Sequence, residues 1–260
     1  MSKNYLLLLF VSLFVVLLSS CSSVLRQDVV VVGVSPNYPP LTFEKDGKLS
    51  GFEIDLLNEV EKITNLKFEY KVIPFQQLGK ALLEGDVDMV IGGISITQER
   101  KKRYLFTEPI VKGGLMHIVR NADLGKFANM DLMKCDTDLT IGVEASTTGD
   151  EFAKKNFKES CIKRYDSAET ALWALKNKDV DVVIHDAPVS WTCNDVQLTP
   201  LFNALTTEYY AWGLRDNEVN RVIKINDALH TLETTFKLSA LWKKWVPSTT
   251  TITFTDSQDK

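Results

Sequence analysis

From residue 28 onward the apolar positions alternate between two periods. Val29–Val34 (VVVVGV) is an unbroken β-branched run, which suits a strand buried on both faces. It stops at Ser35-Pro36-Asn37-Tyr38-Pro39-Pro40, where three prolines force irregular backbone. Asp46-Gly47 sets a turn between Leu41–Glu44 and Leu49. Ile54, Leu57, Val60 and Ile63 mark the apolar side of a helix. Phe68–Val72 predicts the next strand, and Leu78, Leu82 and Leu83 a short helix ending near Gly85. Val87–Ile91 (VDMVI) predicts another buried strand. Gly92-Gly93-Ile94-Ser95 follows, then Thr97, a good helix cap, with Glu99 and Arg100 in the first turn. This βαβαβ order implies a mostly parallel sheet.

The pattern then restarts. Leu139–Val143 predicts a strand, and Ser146-Thr147-Thr148-Gly149 a turn feeding a helix from Asp150. Cys161–Tyr165 and Val180–Ile184 predict strands around a helix at Ala168–Leu175, and His185-Asp186-Ala187-Pro188 caps the last strand. Two extended stretches, Gly113–Val119 and Tyr209–Leu214, flank this second unit. Glu218–Trp245 is predicted helical, and the threonine-rich tail after Pro247 a loose end. Open α/β sheets bind ligands beyond the carboxyl ends of their strands. That rule selects Ser35–Tyr38, Gly92–Arg100, Ser146–Gly149 and His185–Asp186, two places in each unit. A cleft closing between two lobes is the simplest arrangement that unites them.

Residues 1–20 have a different character: Lys3, then an apolar run from Tyr5 to Leu18, then Leu18-Ser19-Ser20-Cys21. The run is short for a bilayer crossing of about 20 residues. Its layout is that of an export signal, with an uncleaved membrane anchor as the alternative. The closing tetrad resembles a bacterial lipobox, which makes Cys21 the expected lipidation site and palmitate an expected acyl group, several chains giving stable anchoring. The remaining cysteines are Cys135, Cys161 and Cys193. If the runs beside Cys135 and Cys161 are neighbouring parallel strands, those two sulfurs can meet in a disulfide, which an exporting compartment permits. A buried thiol is the default for Cys193. The spacing suits no metal site.

Composition narrows the partners. The 260 residues carry 30 Lys+Arg against 34 Asp+Glu, a formal charge of −4, and are 45% hydrophobic. This is ordinary globular usage with enough chain for two cores, and it offers no basic stripe for nucleic acid. No cofactor is implied.

The candidate chemistry is binding chemistry, and each group has two open readings. Arg100 stands in a helix first turn, a poor place for a cation unless an anion shares it. It is either a carboxylate ligand, helped by Gly93 and the Ser95 N–H, or a solvated member of Glu99-Arg100-Lys101-Lys102-Arg103. Thr148 with Gly149 is either a second anion pocket or a cap. Asp186, directly after an apolar strand, needs a partner: an ammonium group, or its own turn beside Pro188. Tyr38 and Phe52 are either aromatic clamps or core.

Tyr38–Leu56 (YPPLTFEKDGKLSGFEIDL), Gly85–Ile110 (GDVDMVIGGISITQERKKRYLFTEPI), Ala145–Ala153 (ASTTGDEFA) and Asp179–Pro188 (DVDVVIHDAP) together resemble the polar amino-acid-binding, family 3 extracellular solute-binding proteins of bacterial ABC importers. The resemblance spans about residues 28–246. It implies a periplasmic-binding-protein-like type II fold, two α/β lobes with mixed sheets joined by a two-strand hinge. The expected organisation is a lipoprotein signal peptide over 1–20 and an anchor and linker over 21–27. Lobe 1 follows over 28–111, lobe 2 over 112–215, a return to lobe 1 over 216–246, and a flexible tail over 247–260. It further implies Arg100 and Thr148 on a ligand's α-carboxylate and Asp186, Gly93 and Ser95 on its α-ammonium, with Tyr38 and Phe52 sandwiching its side chain. Ser35 stands where binders of basic amino acids in that family often carry aspartate. Glu144 is the substitute carboxylate, so Ser35 and Glu144 are the specificity candidates.

The function so implied is capture of a polar or basic L-amino acid by an exported, lipid-anchored monomer, periplasmic where an outer membrane exists. Delivery is to a permease powered by a separate ATPase, since this chain has no GxxxxGK[ST]. A cyclohexadienyl dehydratase-like enzyme on the same fold is the alternative, and a sensor or adhesin domain is a third class. His117, His185 and His230 form no persuasive catalytic grouping with serine and acid.

Overall fold

The computed structural model describes residues 28–127, 133, 138–192, 197–201 and 204–246, with backbone alone at 190–192. The expected leader, the linker with Cys21, Cys135, Cys193 and the tail lie outside these residues.

The valine run forms β1 (Asp28–Val34). Val30, Val32 and Val34 are fully buried in one core cluster, while Val31 packs on a second cluster with Ile73, Leu78 and Val87. A strand whose alternate side chains both find apolar partners needs helices on both faces of its sheet. They are Phe52–Ile63 with the C-terminal helices on one side and Phe75–Glu84 on the other. Short β2 (Asn37–Tyr38) leads into the hairpin of β3 (Thr42–Lys45) and β4 (Lys48–Ser50). Its turn residues Asp46 and Gly47 both have positive φ (52° and 73°), as an Asp-Gly hairpin turn requires. β5 (Leu66–Val72) and β6 (Met89–Ile91) flank β1 in parallel, and β7 (Leu105–Phe106) lies further out.

The chain then leaves through β8 (Val111–Gly113) into a second sheet. That sheet contains β9 (Leu115–Arg120), β10 (Ile141–Glu144), β11 (Ile162–Tyr165), β12 (Val182–Asp186) and β13 (Leu198–Leu201), in the order β11-β10-β12-β9-β13. β10 is parallel to β11 and β12, and β9 runs antiparallel to β12 and β13. The return strand β14 (Glu208–Tyr210) pairs antiparallel with β8, so two strands connect the lobes. β15 (Gly213–Leu214) then pairs antiparallel with β6 and β7, completing the first sheet as β5-β1-β6-β15-β7. Both sheets are therefore mixed.

Two expectations are refined. The chain is back in the first sheet by Gly213, a little before the expected boundary at 215. The helical stretch expected over Glu218–Trp245 divides into two helices, Val219–Thr234 and Lys237–Trp245, because Phe236 adopts positive φ (59°) after two β-branched threonines that favour helix poorly. The strands beside Cys135 and Cys161 are parallel neighbours, and Cys161 is buried. Cys135 itself lies outside the described residues.

Candidate functional site

Every parallel strand of both sheets ends at one interlobe cavity of about 550 Å3. β1 delivers Ser35, β5 delivers Ile73–Phe75, and β6 delivers Gly92. From the other lobe β10 delivers Glu144 and Thr147, β11 delivers Asp166 and Ser167, and β12 delivers His185 and Asp186. A second cavity of about 630 Å3 adjoins it, lined by Arg100, Thr97, Tyr104, Ser146 and Glu151. Phe75 and Gln76 line both, so they form the partition between the two.

The first-lobe wall is held by a buried acid. Glu53, in the first turn of its helix, accepts the N–H groups of Gly92 and Gly93 at 2.8 Å each and the Trp212 indole N–H at 3.0 Å. Burial raises its carboxyl despite those three donors. They fix a turn in which both glycines have positive φ (110° and 67°). A Cβ on Gly93 would sit 2.4 Å from the Tyr38 ring, so that glycine is what lets the ring seat there. The Tyr38 hydroxyl then crosses the cleft and donates to Asp186 Oδ2 at 2.8 Å. Gln76 also crosses, its side-chain amide donating to the Asp166 carbonyl at 2.8 Å.

On the opposite wall Asp186 is 7% exposed, and its Oδ1 accepts no hydrogen bond among the described residues. Burial is the main force on it, and it pushes the carboxyl up to about 6. The Asp186 backbone N–H donates to His185 Nδ1 at 2.8 Å, and His185 Nε2 lies 2.9 Å from Glu144 Oε2. Burial pulls His185 down, but the Glu144 hydrogen bond and the charges of Asp186, Glu144 and Glu208 outweigh it and raise it. Adjacent residues of an extended strand point apart. The two residues are nonetheless coupled, because the backbone N–H of Asp186 reaches the His185 ring.

Arg100 sits in a one-turn helix, Gln98–Lys101, whose N-cap Thr97 accepts the Arg100 N–H at 3.1 Å. Its guanidinium Nη1 donates to the buried Ser95 carbonyl at 2.9 Å. Thr148 follows the true N-cap, Thr147, which accepts the Asp150 N–H and donates to the Glu144 carbonyl. The Thr148 hydroxyl donates to Glu208 on β14 at 3.0 Å, and Thr206 holds the other Glu208 oxygen at 3.1 Å.

The structure thus gathers Ser35, Tyr38, Glu144 and Asp186 at one cavity and Arg100 at its neighbour, while Gly93, Ser95 and Thr148 line neither. Phe52 does not face the cleft at all. It is fully buried, with its ring edge-on to Trp242 at 5.0 Å between centroids. The aromatic that joins Tyr38 at the cleft is Phe75 instead. The strand-end rule had the means to find it, since Pro74-Phe75 follows the Phe68–Val72 run directly. Nothing in the sequence marks Glu53 or Glu208 as polar anchors, because each acts on a backbone or hydroxyl far away in the chain.

Residues 30–248 match the family described as bacterial extracellular solute-binding proteins, family 3. The chain belongs to that family. Its members are solute-binding rather than catalytic proteins, the exported receptors of amino-acid ABC transporters. This solute-binding protein is 32% identical to the arginine-binding periplasmic protein of Mannheimia haemolytica over 63% of its own length and 64% of that relative, somewhat under two thirds of it. It is 25% identical to the L-cystine-binding protein TcyJ of Escherichia coli, over 86% of this chain and 85% of that one. Among solved structures it is similar to the arginine-, lysine-, histidine-binding protein ArtJ of Geobacillus stearothermophilus, with TM-score 0.73 and 31% identity over 85% of this chain and 97% of that one. An ancestral amino acid-binding protein described as a precursor of cyclohexadienyl dehydratase superposes with TM-score 0.79 at 23% identity, over 86% of this chain and 97% of that one, a likeness of fold.

Proposed function

We propose that the interlobe cleft captures one free polar or basic L-amino acid and that the closed protein delivers it to the permease of an ABC importer. The observation that carries this reading is Asp186 Oδ1, a buried acceptor with no described partner at the wall of a cavity between the lobes. A buried carboxylate oxygen left so is costly, and an ammonium group offsets that cost by charge and hydrogen bonding together. Asp186 takes the α-ammonium, joined from the first-lobe side by Gly93 and Ser95. Arg100 takes the α-carboxylate, already aimed by the Ser95 carbonyl. The Thr148 N–H assists, as one of the first four of its helix, which have no intrahelical acceptor. The Tyr38 ring packs along the side chain, with Phe75 in the part expected of Phe52, and Ser35 and Glu144 meet its far end. Closure excludes water and strengthens both charged contacts. Cys21 carries the lipid that keeps the receptor at the membrane.

The relatives' names cover arginine, cystine and histidine, so they support an amino acid without choosing among side chains. Calorimetric titration of the purified protein with the twenty amino acids tests the reading, with prephenate and arogenate turnover measured alongside. Binding without turnover is expected. Arg100→Ala should weaken every accepted amino acid, because it touches the part they share. Unchanged affinity in that variant removes the carboxylate assignment.

A further inference from the structure

The wall that Glu144 and Asp186 build has an unusual charge balance. The cavity beside them is lined by three carboxylate residues, Glu144, Asp166 and Asp186, and by no lysine or arginine among the described residues. Asp186 leaves Oδ1 without a described partner, and Glu144 engages only Oε2. An α-ammonium satisfies one carboxylate. The second then stays buried and uncompensated unless the ligand brings another cation.

Among the described residues lining this cavity, His185 is the one group that could supply that cation itself, and its hydrogen bonds oppose this. Nδ1 accepts the Asp186 backbone N–H, so the ring hydrogen sits on Nε2 and is donated to Glu144 Oε2. A doubly protonated ring would set an N–H against that backbone N–H. Glu144, Asp186 and Glu208 pull toward the charged ring, and burial opposes them. The Tyr38 ring lies 5.9 Å from the imidazole between centroids and brings it no charge. A bound cation beside Glu144 offsets that carboxylate pull and so favours the neutral ring.

We infer that this cavity selects a cationic side chain, that of lysine, ornithine or arginine, with Glu144 as its acceptor. His185 is a positioning residue that turns Glu144 Oε1 to the ligand while adding no charge. This rests on the amino-acid-receptor reading above and narrows it to one ligand class.

The test is calorimetry at neutral pH with L-arginine, L-lysine, L-ornithine, L-glutamine and L-glutamate, on the wild-type protein and on Glu144→Gln, His185→Gln and His185→Ala. The wild type should prefer the cationic ligands over glutamine by about 100-fold, the scale of a desolvated charge pair. Glu144→Gln should erase that preference and leave glutamine within about threefold. His185→Ala should weaken arginine at least about tenfold, while His185→Gln, whose amide can replace the Nε2 donor, should restore most of it. Equal wild-type affinity for glutamine and arginine, or equal losses for both in Glu144→Gln, overturns the inference and leaves the receptor reading intact. Unchanged arginine affinity in His185→Ala overturns the positioning role. Failure of every amino acid to bind folded protein overturns the receptor reading as well.

Discussion

The Tyr38 hydroxyl of the first lobe donates to Asp186 Oδ2 of the second at 2.8 Å, so the two walls of the cleft are tied by one buried hydrogen bond. It is the only side-chain donor Asp186 has among the described residues. Tyr38→Phe removes it and leaves both oxygens of a buried acid unsatisfied in the closed arrangement. The closed form should weaken by about 1–3 kcal/mol, the usual cost of an unmade buried hydrogen bond. Small-angle scattering should report a larger mean radius, and amino-acid affinity should fall. An unchanged radius together with unchanged affinity would show that the bond contributes nothing to closure.

Asp186 is held against its own ionisation. Burial raises its carboxyl from 3.8 to about 6 in the fold. A folded-state value above the unfolded one contributes stability that is complete below the unfolded value and is lost as pH rises through the folded one. Between about pH 4 and 6 Asp186 therefore gives that stability up, and at pH 7.5 it is a net burden of about 3 kcal/mol. Asp186→Asn, which still accepts the Tyr38 hydroxyl, should raise the melting temperature at pH 7.5 and lose amino-acid binding. At pH 3.5 the stability gain should vanish. A variant no more stable than wild type at pH 7.5 would contradict the burden assigned to this residue.

Glu53 answers to the opposite logic. Its two oxygens serve Gly92, Gly93 and Trp212, all buried donors with defined geometry. Glu53→Ala strands three donors at once, and at about 1–3 kcal/mol each the loss should be several kcal/mol of unfolding free energy. Glu53→Gln should be intermediate, since its amide presents a donor where one acceptor stood. Urea unfolding of the two variants should rank them in that order, and a Gln variant no less stable than wild type would sink the account.

The strand-end loops were legible because their cause is local: β-branched runs, Pro-rich and Gly-Gly breaks, and Thr97 before a helix. Ser35, Tyr38, Glu144, Arg100 and Asp186 stand at or beside such breaks and lie at adjoining cavities. The helix break at Phe236 was not legible, because it depends on one left-handed residue inside an otherwise helical pattern. Nor was the Glu144–His185 pair, whose members are 41 residues apart and meet only because β10 and β12 are neighbours in register. Phe52 misled because its surroundings match a site motif, whereas its packing against Trp242 is set by the C-terminal helix.

Phe52 and Phe75 now make opposite demands on experiment. Phe52 is fully enclosed between its own helix and Trp242, and Phe52→Ala removes a large ring from close-packed surroundings. Such truncations cost about 3–5 kcal/mol, so its unfolding midpoint in urea should drop sharply. The fraction that remains folded should bind amino acids with near-normal affinity, because no cleft surface has changed. Phe75 heads its helix at the partition between the two cavities, with Pro74 before it and the interlobe bridge of Gln76 after it. Phe75→Ala opens one cavity into the other and strips an apolar wall from the ligand's side chain. It should cost binding about tenfold or more, at roughly 25 cal/mol for each square ångström of apolar surface left facing water, with a smaller change in stability. Paired calorimetry and urea unfolding read both quantities on both variants. If Phe52→Ala lost affinity while keeping its stability, or Phe75→Ala did the reverse, the positions of the two rings relative to the ligand would have to be exchanged.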